Sequence, residues 1–262
     1  MPIRAILVTL LVLLAGCGGT LGSTPAPPTV TPAPVPVTTE VPQRDKNPEY
    51  PPGMGRHGIV NPSRLVEAHA EILGRESFTV HVNSTRRQAN GTIRSRYSWV
   101  MEFGADKGRF YYVLRQIDRN ATTLQNRRIE RWADGHHVVE RTIVDGRQTS
   151  RIIRESNPSR SFPENATNRL DLYRLLTSVD TEVEEAFERD GRTEYHLIGG
   201  PQEVPPLEDV TFTAVVSDRG VIRSFRVAYT VGRDETRVVV SARYDRLGET
   251  TVSRPHWVAE ID

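Results

Sequence analysis

From residue 78 to residue 244 the chain repeatedly alternates apolar with polar side chains, and short Asx-Gly turns separate the alternating runs. Phe78, Val80 and Val82 alternate with Thr79, His81 and Asn83. Ile93, Tyr97, Trp99, Met101 and Phe103 share one side of the next run. Further runs cover 110–117, 127–132, 136–144 and 148–154, and, after a break, 182–188, 192–198, 210–217, 221–231 and 236–244. Asn90-Gly91, Asp134-Gly135, Asp145-Gly146 and Asp190-Gly191 fall between runs. A period of two is that of a strand with one face against a core, and an Asx-Gly pair between two such runs signals a hairpin. The pattern predicts an antiparallel meander, not a βαβ plan.

Two segments depart from that period. Asn61 is placed to cap a helix, Pro62 suits its first turn, and Leu65, Ala68 or His69, Ile72 and Leu73 form an apolar stripe. Gly74 is the expected stop. His69 beside the stripe reads as a packed histidine rather than a ligand. A second helix is expected over Asn165–Ser178, where Leu170, Leu172, Tyr173, Leu175 and Leu176 give a broad apolar side. The order is therefore helix, about six strands, helix, then five or six strands, with Trp257 in the last segment, Thr250–Ile261. A sheet of so many strands curls or closes, and apolar-striped helices need an apolar surface to cover. The expected fold is α+β: a large curved antiparallel sheet, an incomplete β-barrel of about 11 strands, with two or more helices packed on its concave side.

The N-terminal part has a different character. Arg4 is followed by an uncharged apolar run from Ile6 to Ala15, which ends in Leu14-Ala15-Gly16-Cys17 and the one cysteine of the chain. Spanning a bilayer takes about 20 apolar residues, so the run has the length of a signal-peptide core rather than of a membrane helix. From Gly18 to about Gly58 prolines recur among Thr, Ser, Ala and Val, and neither helix nor sheet can propagate through them. Such a spacer, semi-rigid and polyproline-like, reaches on the order of 100 Å when extended. Expected boundaries are a leader over 1–16, a lipid-bearing Cys17 with a Pro/Thr-rich tether over 17–58, and a folded body over 59–262. Gly53-Met54-Gly55-Arg56-His57-Gly58 matches GxGxxG, but proline precedes it and Asn61-Pro62 follows, so it reads as the flexible end of the tether, not a nucleotide loop.

Leu14-Ala15-Gly16-Cys17 resembles the lipobox of secreted lipoproteins, which implies cleavage before Cys17 and acylation of that residue. Lipobox, tether, N-terminal helix, long meander and mid-chain helix together resemble the lipoprotein-carrier superfamily of LolA, LolB and LppX. The helix leading into Ser77-Phe78-Thr79 and the closing Pro255-His256-Trp257 also resemble lipoproteins of haloarchaea. The carrier resemblance implies a hydrophobic cavity that holds acyl chains, and a chain facing the extracytoplasmic side of the cell membrane.

Composition narrows the chemistry. One cysteine excludes an intramolecular disulfide, a Cys-based zinc site and Cys-pair redox chemistry. A formal net charge of +1, with arginine and carboxylates interleaved, gives no footprint for nucleic acid. No GxSxG, HExxH or P-loop pattern occurs, and no cofactor or metal is expected. Adjacent His136 and His137 on a strand would point to opposite faces, and Glu182, Glu184 and Glu188 read as a solvated strand face. Four sequons begin at Asn83, Asn90, Asn120 and Asn165, candidates for N-glycosylation at turns and at a helix start. Aromatic and apolar residues at alternating positions, Tyr97, Trp99, Met101, Phe103, Tyr112, Phe225 and Tyr229, are the candidate lining of a ligand site. The expected function is a non-enzymatic, lipid-anchored envelope lipoprotein that binds or carries a hydrophobic ligand such as a lipid. The alternative is an envelope protein–protein interaction module whose core is filled.

Overall fold

The structure, a computed structural model, describes residues 50–119, 124–153, 167–232 and 235–261. The chain divides into Met1–Asp45 and Lys46–Asp262, and every described residue belongs to the second unit. Cys17, the leader and most of the tether lie outside the described residues, as do Asn120 and Asn165.

A two-stranded hairpin, β1 (Met54–Gly55) with β2 (Gly58–Ile59), opens the described part. Helix α1 (Pro62–Arg75) follows, then six strands: β3 (Phe78–Arg87), β4 (Ile93–Phe103), β5 (Arg109–Arg119), β6 (Leu124–Asp134), β7 (Val138–Val144) and β8 (Arg147–Ile153). After helix α2 (Arg169–Ser178) come β9 (Glu182–Arg189), β10 (Arg192–Val204), β11 (Leu207–Ser217), β12 (Ile222–Val231) and β13 (Thr236–Asp245). Strands β3–β13 form one 11-stranded sheet in the order β8-β7-β6-β5-β4-β3-β13-β12-β11-β10-β9. Every pairing is antiparallel, and the sheet is open, with β8 and β9 at its edges. The α+β curved sheet expected from the alternation is therefore the fold.

The chain starts in the middle of the sheet, runs out to the β8 edge, and passes through α2 to the opposite edge. A second meander then returns to the centre. The two halves join where β13 pairs β3, from Arg237↔Arg87 to Asp245↔Thr79. The turns fix these registers. Asp145 and Gly146 both have positive φ, 48° and 84°, and join Val144 to its partner Arg147. Positive φ at both central residues matches the right-handed twist of the flanking strands.

Helix α1 forms where the sequence placed it. The Asn61 side chain accepts from the Arg64 amide at 3.1 Å, and Leu65, Val66, His69 and Leu73 are buried. Burying each of the two leucines is worth about 2 kcal/mol. Gly74 is not the stop: it lies in the last turn, and the chain leaves the helix through Glu76 in an extended conformation. His69 is packed, as expected. Its Nδ1 accepts from the Ile222 amide at 3.2 Å, and its ring meets Tyr244 edge-on at 4.7 Å. Burial drives its pKa down to about 3, against a weaker opposing hydrogen bond with the Thr167 backbone.

Three segments differ from expectation. The GxGxxG stretch is a hairpin, not a loose linker end: Pro51, Met54 and Gly58 are buried, and the Ile59 amide donates to Thr181 Oγ1 at 3.1 Å. His136 and His137 precede β7 in a turn, where both amides donate to Asp134 Oδ1 at 2.7 and 2.8 Å. Thr250–Ile261 adds no strand. It carries a 3-10 turn, His256–Val258, that buries Trp257 and Val258 beside Val139, Tyr111 and Trp132 on the outer face of the sheet.

Candidate functional site

Register decides which side chains share the inner face. Phe78, Phe103, Phe110, Ala133 and Val138 form one row across β3 to β7. These residues are buried, and the row is solid. One step along the strands the row is Val80, Met101, Tyr112, Arg131 and Glu140; the next is Val82, Trp99, Leu114, Ile129 and Thr142. There the packing opens. A cavity of about 770 Å³ lies between these rows and the two helices. Its sheet wall is Trp99, Met101, Tyr112 and Arg131; its helix wall is Ser63, Val66 and Glu67 of α1 and residues 168–171, 173 and 174 around α2.

The start of α2 is pinned by an unusual use of its capping residue. Asn168 has φ 49° and makes no side-chain cap hydrogen bond. Its Nδ2 donates instead to the Tyr244 hydroxyl at 2.9 Å. Burial raises the Tyr244 pKa, with the Asn168 hydrogen bond acting the other way. Tyr244 in turn touches His69, so α1, α2 and β13 meet at one polar node in an apolar core. Leu172 and Leu176 of α2 are buried. Leu170 and Tyr173 are turned from that core, 69% and 45% exposed, and line the cavity.

One ion network stands on the inner face. Glu140, nearly buried, accepts from Arg131 Nε at 2.7 Å and from Arg151 Nε at 2.9 Å. Burial alone would raise its pKa; the two guanidiniums outweigh that and hold it below the usual carboxylate range. Tyr112 beside them is pushed up by burial, partly offset by the Arg131 charge. The outer face has a counterpart: buried Glu130 accepts from the Tyr111 hydroxyl at 2.9 Å, Arg128 at 2.7 Å and Arg141 at 2.6 Å. Among the described residues no group of three or more His, Cys, Asp or Glu converges as a metal site.

The residues expected to line a ligand site separate by depth. Trp99, Met101 and Tyr112 line the cavity, with Trp99 and Tyr112 rings 6.1 Å apart. Phe103 and Phe225 lie in the solid core, Tyr229 packs at its margin, and Tyr97 is 38% exposed. Arg131, Val66, Leu170 and Tyr173 were not anticipated. For Leu170 and Tyr173 a signal existed: α2 carries apolar residues on more than its buried stripe, which one core contact does not explain. Asn83 is exposed, on β3 rather than in a turn, and Asn90 is exposed in the β3–β4 turn. Glu184 lies on the β9 edge strand and meets His196 Nδ1 at 2.8 Å.

The fold and the cavity define an open, curved antiparallel sheet with two helices on its inner face and a part-apolar hollow beneath them. Solved structures similar to the chain include a LolA superfamily protein from Nitrosomonas europaea, at 11% identity and a TM-score of 0.26, covering 74% of this chain and 94% of that one. They also include a DUF1329 family protein from Desulfovibrio piger, at 12% identity and 0.26, covering 74% and 93%. MucB in complex with MucA is a third, at 15% identity and 0.29, covering 75% of this chain and 58% of MucB. No family model and no curated protein matches the chain.

Proposed function

We propose that this protein binds a hydrophobic ligand non-covalently between its two helices and the inner face of its sheet. The observation that carries the reading is the hollow itself. Among the described residues a cleft of about 770 Å³, partly open to solvent, lies beside Trp99, Met101 and Val66. That volume falls in the range of about 300–1,000 Å³ typical of small-molecule sites. Walls that mix apolar and aromatic side chains (Val66, Trp99, Met101, Leu170) with polar and charged ones (Ser63, Glu67, Arg131, Asp171) suit an amphiphile. The same reading makes the protein a carrier or binder rather than an enzyme, held at the extracytoplasmic membrane surface by lipid on Cys17.

Native mass spectrometry of the full chain, followed by solvent extraction, tests the binding reading. The expected result is a co-purifying amphiphile of discrete mass that is released on unfolding. An empty protein, with no uptake of added long-chain amphiphile, would favour the alternative of a protein–protein interaction module.

A further inference from the structure

We infer that the outer face of the sheet carries a second site, a basic trough across β12, β13, β3, β4 and β5 that receives an acidic polysaccharide. It lies on the opposite face from the cavity and does not depend on how the cavity is read. Register builds it. One outer row runs Arg226, Ser241, Asn83, Ser98, Arg115 and Arg128. The next holds Thr85 and Arg96, and the one beyond it Arg87 and Arg237. Arg115 faces Arg128 directly across its strand pair, and Arg87 faces Arg237. Like charges so placed destabilise a sheet, and of these four only Arg128 is held by a carboxylate, Glu130 at 2.7 Å. Among the described residues no carboxylate pairs with Arg87, Arg96, Arg115, Arg226 or Arg237. From β11 to β6 the one carboxylate in register on these three rows is Glu208, at the Arg237 end, with Asp209 in the bulge beside it. On the row before them Asp245 is taken by Arg243 at 2.6 Å. The chain is near-neutral as a whole because its carboxylates gather elsewhere, four of them on the β9 edge.

The floor of the trough selects the kind of polyanion. Ser241, Asn83 and Ser98 separate Arg226 from Arg115, which stands four strand spacings away, about 19 Å. At the Arg226 end a depression of about 300 Å³ opens among Thr213, Ser224, Arg226 and Ser241. A line of short hydroxyl and amide groups with guanidiniums at both ends matches a chain that carries hydroxyls and anions together. The hydroxyls and amide can donate to and accept from sugar hydroxyls, and arginine takes carboxylate or sulfate through paired N–H donors. A single-stranded nucleic acid calls for aromatic rings on which bases stack, and a membrane surface for an apolar face. These rows hold no aromatic side chain, and Ile117 is their one exposed large hydrophobic residue. A glycan on Asn83 would fill the trough, so Asn83 is assigned as unmodified.

The test titrates the full chain with labelled polygalacturonate, dextran sulfate, neutral dextran, a DNA duplex, and vesicles of equal parts phosphatidylglycerol and phosphatidylcholine. Wild type should bind polygalacturonate or dextran sulfate saturably, more weakly as salt rises, and neutral dextran not at all. Which of the two is preferred identifies carboxylate or sulfate as the anion. The double variant Arg115→Gln, Arg226→Gln should lose about tenfold or more in that affinity, the size expected for losing charge-assisted hydrogen bonds. Both side chains are exposed and free of ion pairs, so its melting temperature should match wild type. The control Arg64→Gln, Arg192→Gln removes the same charge from exposed positions outside these rows and should stay within about twofold of wild type. No binding of either acidic polysaccharide, or an equal loss in both double variants, overturns the inference. Tighter binding of the DNA duplex or the vesicles than of both polysaccharides would assign the face to that partner and overturn it too, as would an intact mass showing a glycan on Asn83. The comparison of probes on wild type decides the matter even if a variant does not fold.

Discussion

His69 shows how one buried ring sets a property of the whole fold. It is fully buried and its pKa is driven down to about 3, whereas it titrates at 6.5 when solvated. The unfolded chain therefore takes up a proton that the folded chain refuses. The stability due to neutral His69 is complete above pH 6.5 and is lost as pH falls toward about 3. The loss approaches about 1.4 kcal/mol per pH unit within that window. Glu130 and Glu140, both held below the usual carboxylate range in the fold, add their own loss only in more acid solution. Denaturant titrations of wild type and His69→Gln between pH 6.5 and 4.5 separate the two effects. The variant keeps an acceptor for the Ile222 amide, starts less stable, and should show a slope flatter by nearly one proton. Equal slopes would mean that His69 is protonated in the fold.

At the scale of elements, the sequence was most legible where one local signal had one structural answer. Asn61-Pro62 started α1, and Asp145-Gly146 made a two-residue hairpin turn. It was least legible where the answer depended on what packs above a segment. The period of two put Trp99, Met101 and Phe103 on one face of β4, but it does not say where helices stand over that face. Phe103 consequently fell in solid core, while Trp99 and Met101 met a hollow. The hairpin β1–β2 was hidden for a related reason: its glycines are needed for a contact far along the chain. Gly58 has φ 116°, and a Cβ there would lie 2.1 Å from the Thr181 carbonyl oxygen, just before β9. Gly58→Ala should therefore lower the unfolding midpoint clearly, by the equivalent of about 2 kcal/mol for strain plus lost packing. Gly74→Ala, on an exposed helical position with open space around it, should be neutral or stabilising by up to about 1 kcal/mol. A Gly58→Ala protein as stable as wild type would contradict the docking of the hairpin on β9.

For the whole molecule, the number of strands could be read from the alternation, but their order could not. Nothing local to β13 says that it pairs β3, and that pairing turns two separate meanders into one sheet with a shared inner face. The attachment proposed at Cys17 acts at this same scale. Acyl chains contribute about 0.8 kcal/mol per buried methylene, and one chain alone holds a protein only marginally, so two are expected on Cys17. Cys17→Ser should abolish labelling by a lipid precursor and move the protein out of the membrane fraction, with its melting temperature unchanged. A variant that stays in the membrane with its leader uncut would assign the attachment to Ile6–Ala15 instead.

The central claim is that a hydrophobic ligand enters the hollow beneath the helices, and the three tryptophans allow it to be tested directly. Trp99 lines the cavity, whereas Trp132 and Trp257 lie in the outer-face cluster. A brominated long-chain fatty acid, which quenches indole fluorescence at short range, can therefore report where it binds. Titrated into the full chain, it should quench part of the emission saturably, and Trp99→Phe should remove that component and leave the emission of Trp132 and Trp257 unquenched. No saturable quenching of wild type, or the same quenching in Trp99→Phe, would contradict the account.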